Sequence, residues 1–204
     1  EIYEAALAPS RWTVVLERLV ARFKGRAAAL RTFEAVPETG GLWITHGIGR
    51  QPRDEFARYF HTGNVWEARA NALGAFRPGA VVTSDMLLPH RELQASEFYR
   101  DFLPANDIQD LLGLVLHDGR TAPMPRTVLS IFRGHRQARF GEADVSLARE
   151  YLPHLARAVE MNFRLAELRR LEAINRVALT GFAPGFACFR RDGTLLVANR
   201  AAEA

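Results

Sequence analysis

The longest regular pattern of apolar and polar residues covers residues 140–171 and continues weakly to residue 178. Its apolar members recur every three or four residues, at Val145, Ala148, Leu152, Leu155, Val159 and Phe163. This spacing keeps them on one face of a helix. Gly141 and the acidic residues after it suit a helix start. Pro153 removes one backbone donor, so we expect a kink or a fresh helix start there. The pattern predicts one long amphipathic helix.

Shorter patterns predict the other elements. Ser10 is expected to cap a first amphipathic helix that closes at Lys24 and Gly25. Strand-like runs bounded by turn residues occur in five segments: residues 26–33, 42–46, 80–83, 111–117 and 127–133. Short helices with aromatic residues are expected to begin near three positions: Pro52, Pro89 and Ser96.

This order of elements indicates an α+β fold with a central antiparallel sheet flanked by helices and a long C-terminal connector helix. The first and last helices are expected on one face of the sheet, and the middle helices on the other. A cleft would then lie between the sheet and the middle helices, where aromatic residues are concentrated between positions 53 and 103. Such a cleft is the default site for a small ligand, although ordinary core filling explains the rings equally well.

The character of the sequence changes after residue 178. A short linker with Pro184 leads into an alternating run around Asp192 and Gly193, which is typical of a hairpin. This run is too short to bury a core of its own. The predicted organisation is therefore a globular domain at 1–140, a connector or dimerisation helix at 141–178, and a linker with the beginning of a second, incomplete domain at 179–204.

Composition narrows the class of protein. The chain has 204 residues, of which 48% are hydrophobic and 25% charged, so it is globular and can bury a sizeable core. Basic residues cluster at 11–31 and 120–139, where a solvated face is more common than an anionic or nucleic-acid partner. The long helix carries equal numbers of acids and arginines, which favours packing or dimerisation over DNA reading. With no membrane-length apolar run and no signal peptide, we expect a cytoplasmic protein without membrane contact.

A search for reactive groups finds no catalytic constellation. The single cysteine, Cys188, excludes a disulfide framework and a multi-cysteine zinc site. The nucleophile elbow, the phosphate-binding loop and the zinc-protease motif are missing, and the six histidines are scattered. We therefore expect a binding module that is not an enzyme, with no catalytic residue, metal or cofactor. The candidate ligand contacts are four aromatic residues, a strand-end histidine and an arginine that could pair with an anion: Tyr59, Trp66, Phe76, Tyr99, His117 and Arg133.

Several sequence blocks resemble a known family. The blocks IYEAALAPSRW, PGAVVTSDMLLP with SEFYRDFL, and VLSIFRG leading into FGEADVSLAREYLPHLARAVEM are similar to the N-terminal sensory region, GAF-like or PAS-like, of LuxR-type helix-turn-helix transcriptional regulators. The tail FACFRRDGTLLVANRAAEA resembles the opening strands of a PAS domain. The blocks occur in the family's order over most of the chain.

The resemblance implies a GAF/PAS-like fold in a cytoplasmic bacterial regulator. Its partners would be an unidentified small-molecule ligand and a second copy joined through the long helix. DNA would be bound only by a C-terminal domain that is absent from these 204 residues. Three alternatives stay open: a sensor module of a histidine kinase or cyclic-dinucleotide enzyme, a structural dimerisation module, and a stand-alone GAF-like reductase. The position of Cys188 outside the predicted cleft argues against the last.

Overall fold

The computed structural model describes residues 1–33, 41–120, 124–180, 185–190, 193–199 and 201–202, without the side chains of residues 176–180 and 196–197. The α-helices are α1 (Ile2–Leu7), α2 (Trp12–Arg22), α3 (Arg50–Glu55), α4 (Val65–Ala72), α5 (Ser84–Leu87), α6 (His90–Ala95) and α7 (Glu142–Thr180). Two π-helical segments, Phe56–Phe60 and Phe98–Phe102, and two short 3₁₀ helices, Pro9–Arg11 and Pro104–Asn106, lie between them. The strands are β1 (Ala27–Thr32), β2 (Trp43–His46), β3 (Val81–Thr83), β4 (Asp110–His117), β5 (Thr127–Arg133), β6 (Ala187–Phe189) and β7 (Leu195–Ala198).

The first five strands form one sheet in the order β2-β1-β5-β4-β3, and every neighbouring pair is antiparallel. The five strands coincide with the five segments that the sequence predicted, within one residue at most ends. Helices flank the sheet, and a long helix follows its last strand. The α+β class expected from the sequence is therefore confirmed.

The first and last helices cover one face of the sheet. Their apolar sides and the alternate strand residues facing them form one buried cluster, which includes Trp12, Leu16, Leu30, Leu112, Leu129 and Leu155. The start of the chain differs from the prediction in one respect. Ser10 does not cap α2, because it lies inside a 3₁₀ helix that joins the additional helix α1 to α2.

The middle helices cover the other face and form a second buried cluster with Leu111 and the partly buried Phe132 of the sheet. The two π-helical segments lie in this layer. Where the sequence predicted an ordinary helix after Ser96, the chain forms the wider π turn at Phe98–Phe102. The expected division of the helices between the two faces is confirmed.

Helix α7 begins as the sequence predicted. The carbonyl of Gly141 accepts a hydrogen bond from the backbone N–H of Val145 at 3.1 Å, and the Asp144 carboxylate accepts one from the Gly141 N–H at 2.9 Å. No fresh start occurs at Pro153, because the helix continues through it. The proline leaves the carbonyl of Arg149, four residues earlier, without its usual helical donor.

The chain forms two compact units, Glu1–Phe163 and Arg164–Ala204, and α7 contributes residues to both. The predicted boundaries at residues 140 and 178 remain predictions. In the second unit β6 and β7 form the expected antiparallel hairpin, although Asp192 lies outside the described residues. Among the residues that the structure describes, no helix is both long enough and apolar enough to cross a membrane.

Candidate ligand cavity

A cavity of about 150 Å³ lies in the first unit, between the sheet and the middle helices. This is where the sequence predicted a cleft. Within the described part of the chain, 27 residues line the cavity, and only six of them have polar side chains: Arg31, Thr45, Arg53, Asn64, Glu67 and Ser130. The cavity is therefore mainly apolar, with a few polar groups at defined places.

The floor of the cavity is one row of residues that crosses all five strands. Pairing across the sheet aligns Thr45, Ala29, Ser130, Gly113 and Val82, one from each strand, and all five line the cavity. The three central residues are small, so their side chains leave open the space that larger residues would fill. A Cβ atom at Gly113 would lie 3.1 Å from Cγ2 of Val82. The hollow is thus produced by the choice of side chains along one row.

Aromatic side chains form much of the wall. Trp66 on α4 stacks on Phe132 of β5, with ring centroids 6.4 Å apart and planes 22° apart. Its indole Nε1–H donates to Oγ of Ser84 at 2.8 Å. The ring is therefore fixed both by stacking and by a satisfied donor.

The two π-helical segments meet through phenylalanine side chains beside the cavity. The ring centroid of Phe102 lies 5.8 Å from that of Phe56 and 4.8 Å from that of Phe60. Phe98 stacks on Phe102 at 5.5 Å. Phe56, Phe98 and Phe102 also line the cavity, so the segments form both a structural contact and part of the wall. π-Helical turns often occur at functional sites.

Arg31 is the main charged group in the cavity wall. It lies on β1, and its side chain is 24% exposed. Its Nη1 atom donates to Oε2 of Glu67 at 3.3 Å, and its guanidinium carbon lies 4.2 Å from the ring centroid of Phe33 and 5.3 Å from that of Phe56. Burial lowers the pKa of Arg31 from its ordinary value, and the carboxylate of Glu67 opposes that shift. Arginine nevertheless stays charged near neutral pH.

Two of the six predicted ligand contacts, Trp66 and Phe76, line the cavity. Tyr59 does not, because the residue is 58% exposed and its hydroxyl donates to Glu97 at 2.8 Å. Tyr99 packs against the second buried cluster and makes an edge contact with His90 at a centroid distance of 6.2 Å, but it does not reach the cavity wall. The structure thus brings only two of the four predicted aromatic residues together.

His117 lies outside the cavity because of an irregularity in β4. Val115 pairs with Val128 and His117 with Thr127, so one extra residue of β4 forms a bulge between them. Strict alternation would have placed His117 on the cavity face with Val115. The bulge instead allows its Nε2 atom to form a hydrogen bond with the carbonyl of Ala156 on α7, at 3.0 Å.

Arg133 also lies outside the cavity. It follows Leu129 and Ile131 on the opposite face of β5, where its side chain is 9% exposed. Its Nη2 atom donates to the carbonyl of Phe23 at 2.7 Å and to Oδ1 of Asp144 at 2.9 Å. Arg133 therefore holds the first turn of α7 against the end of α2, and it is not available to a ligand in the cavity.

The charged pair Arg31 and Glu67 and the floor residue Ser130 were missed from the sequence. A signal was present in β1, whose residues alternate between the two faces of the sheet. An arginine on the same face as Ala27 and Ala29, within a short apolar strand, indicates a charge directed into the middle layer. Within the described residues, no group of three or more histidine, cysteine, aspartate or glutamate side chains is placed to hold a metal ion.

Comparisons with known proteins add information about the fold. No protein-family model matches the sequence, and no curated protein matches it. Among solved structures, the LBD domain of VqsR from Pseudomonas aeruginosa aligns with a TM-score of 0.59 and 11% identity, covering 80% of this chain and 92% of that one. The two chains share a fold.

At 11% identity, the similarity to the VqsR LBD domain shows a shared fold and nothing about function.

Two structures from Geobacter sulfurreducens also align. The GAF domain/HD domain protein has 16% identity and a TM-score of 0.42, covering 78% of this chain and 93% of that one. The GAF domain region of a putative membrane protein has 17% identity and a TM-score of 0.45, covering 74% and 91%. TM-scores this low add no weight to the fold assignment.

Proposed function

We propose that the chain is the signal-sensing region of a bacterial transcriptional regulator of the LuxR type, and that a small molecule bound in the cavity is the signal. The observation that carries the proposal is the cavity itself, in a fold shared with a domain described as the LBD of VqsR. The sequence blocks that resemble LuxR-type sensory regions supply the regulator class.

The construction of the cavity supports a binding role. Protein interiors are close-packed, and a cavity lowers stability in proportion to its volume. Here the space results from three adjacent small residues in the middle of a sheet: Ala29, Ser130 and Gly113. A half-buried charged pair, Arg31 and Glu67, lies in its wall. A mainly apolar hollow with a few convergent polar groups is the usual form of a small-molecule site.

Strands β4 and β5 offer a route from the cavity to α7. Their residues on one face line the cavity, and those on the other pack against α7 in the first buried cluster. A ligand acts on such a system only if it binds one arrangement of the helix better than another. We infer that the signal changes the position of α7 relative to the sheet, and that a DNA-binding domain outside these residues receives that change.

Dimerisation through α7 is part of the proposal. In the second unit α7 carries three exposed apolar side chains at three-residue spacing, Leu168, Leu171 and Ile174, with exposures of 62%, 44% and 50%. These residues form a stripe along the helix that a second copy would cover.

Native mass spectrometry of the purified chain with a small-molecule library tests the binding role. The informative variant is Ser130→Leu, which fills the floor of the cavity, and its control is Ser146→Leu, the same change at an exposed position of α7. We expect wild type and the Ser146→Leu control to retain a small molecule that Ser130→Leu excludes. If Ser130→Leu binds every compound that wild type binds, the cavity is not the ligand site and the proposal fails.

A further inference from the structure

The size of the cavity, its aromatic lining and the charge of Arg31 together favour one class of ligand. We propose that it binds a single-ring aromatic carboxylate, whose ring lies among the phenylalanines and tryptophans of the wall and whose carboxylate is bound by Arg31. This inference rests on the proposed ligand-binding function and names the class of molecule.

Size selects a single ring. A cavity of about 150 Å³ is the size that holds one benzene molecule in an apolar interior. Its wall includes rings from both the sheet and the middle helices, such as Phe132 and Trp66, and ring-on-ring packing favours an aromatic guest over an aliphatic one of equal volume.

The guanidinium group of Arg31 has N–H donors that form no hydrogen bond with the described residues. Among the described residues Glu67 is its only hydrogen-bond partner, through one nitrogen at 3.3 Å. A guanidinium has five N–H donors in a planar fork that matches a carboxylate in two parallel bonds. The remaining donors of Arg31 stay beside a wall of aromatic rings. Because the Arg31 side chain is only 24% exposed, a carboxylate from the ligand gains more there than at a fully exposed arginine.

Ser130 supplies a second polar point. It lies on the cavity floor, and its hydroxyl has no hydrogen-bond partner among the described residues. Arg31 pairs with Val128, two residues from Ser130, so Arg31 and Ser130 are diagonal neighbours in the sheet. The Cα atoms of such neighbours are about 7 to 8 Å apart, so both side chains border the same part of the cavity. A hydroxyl or carbonyl group across the ring from the carboxylate would reach Ser130.

Isothermal titration calorimetry with benzoate and its neutral isostere benzamide tests the proposal, and the indole N–H signals in NMR spectra report whether the probe lies beside Trp66. We expect benzoate to bind about 10- to 100-fold more tightly than benzamide, which corresponds to the free energy of hydrogen bonds to a charged group.

Variants test the role of Arg31. Arg31→Met should reduce benzoate binding to the benzamide level. Glu67→Gln should tighten it severalfold, because it removes a competing negative charge. The control is Arg18→Met, an exposed arginine paired with Glu1, which should bind benzoate like wild type.

The outcomes separate this inference from the proposed function. If benzoate and benzamide bind equally and Ser130→Leu blocks both, the cavity is a binding site without a preference for anions, and only the inference is wrong. Unchanged benzoate affinity in Arg31→Met also overturns it. If neither probe binds, the inference is wrong. The proposed function fails as well only if wild type also retains no library compound that Ser130→Leu excludes.

Discussion

Two arginines on neighbouring strands, Arg31 and Arg133, differ in how fully their guanidinium groups are satisfied. Arg133 donates to three backbone carbonyls and to both oxygens of the Asp144 carboxylate, and it packs 4.0 Å from the ring centroid of Phe140. Arg31 has a single acceptor among the described residues. The first is a structural clamp, whereas the second has donors available for a ligand.

Replacing Arg133 should therefore affect folding. In Arg133→Met the three carbonyls lose this donor, and the Asp144 carboxylate loses its charged partner and keeps the Gly141 N–H. We expect the free energy of unfolding to fall by about 2–4 kcal/mol. Arg149→Met removes an arginine that is 60% exposed and pairs with Glu142 at 3.7 Å, so its cost should be at most about 1 kcal/mol. Urea denaturation measures both values, and equal losses would contradict the clamp.

Two aspartates, Asp110 and Asp107, have pKa values shifted in opposite directions, so each makes the stability depend on pH in its own way. Burial raises the pKa of Asp110, although the N–H of Phe140 and the charge of Arg139 oppose the shift. The folded protein therefore holds the Asp110 proton more tightly than the unfolded chain does. The stability gained in this way is lost as the pH rises through the pKa of Asp110 in the folded state. Hydrogen bonds from His135 lower the pKa of Asp107, so its contribution is lost as the pH falls below the ordinary aspartate range.

Replacing these two aspartates should change the pH profile in opposite directions. Asp110→Asn should remove a decline in stability above the ordinary pKa of an aspartate, about 3.9, while Asp107→Asn should remove a rise around and below it. Denaturation midpoints measured from pH 3 upward, in steps of about half a unit, give both slopes. Parallel profiles for the two variants would show that the assignment of signs is wrong.

At the scale of elements, α7 keeps a proline in its interior. Pro153 is exposed and leaves the Arg149 carbonyl without a helical hydrogen-bond donor. A proline inside a helix is about 3 kcal/mol less favourable than an alanine at the same position. Pro153→Ala should therefore raise the free energy of unfolding by about 1–3 kcal/mol. Pro52→Ala is the control, because Pro52 lies in the first turn of α3, where the missing N–H costs little. Thermal unfolding of the two variants measures the difference, and no gain for Pro153→Ala would show that the local structure has adapted to the proline.

Most elements could be predicted because their patterns are local. The alternation of β1 and β5 and the long period of α7 are visible in single segments. The division of helices between the two faces follows from the order of the elements along the chain. The position of His117 was not predictable in this way, because the bulge in β4 exists only in relation to its partner β5. The π turn at Phe98–Phe102 packs against rings of Phe56–Phe60, and contacts between distant segments are not visible in either segment alone.

The candidate site was predicted in location but only partly in residues. Concentrated aromatic residues indicated the layer that holds the cavity, and Trp66 and Phe76 line it; contact of either residue with a ligand stays a prediction. The floor could not be predicted, because a row across five strands requires the register of every pair. The charge of Arg133 suggests a partner for an anion, yet alternation along β5 places this residue on the face of Leu129 and Ile131, away from the cavity.

At the scale of the whole molecule, the proposed dimer can be tested by mass in solution. The chain has a mass of 22.9 kDa, and light scattering coupled to size exclusion should report twice that value. Leu168→Glu should give the monomer mass, because it places a charge in the apolar stripe of α7. Leu73→Glu, at a residue 57% exposed elsewhere, should leave the dimer intact. A monomeric wild type at high concentration would remove dimerisation from the proposal.

The row of small residues under the cavity also bears on how such a protein can change over generations. Ala29, Ser130 and Gly113 contribute to the sheet through backbone hydrogen bonds, in which no side-chain atom takes part. A single substitution in the row therefore alters the volume offered to a ligand while the hydrogen-bonded framework stays in place. Under the proposed function, a lineage that keeps this sheet can exchange one chemical signal for another by point mutation in this row, without a change elsewhere in the sheet.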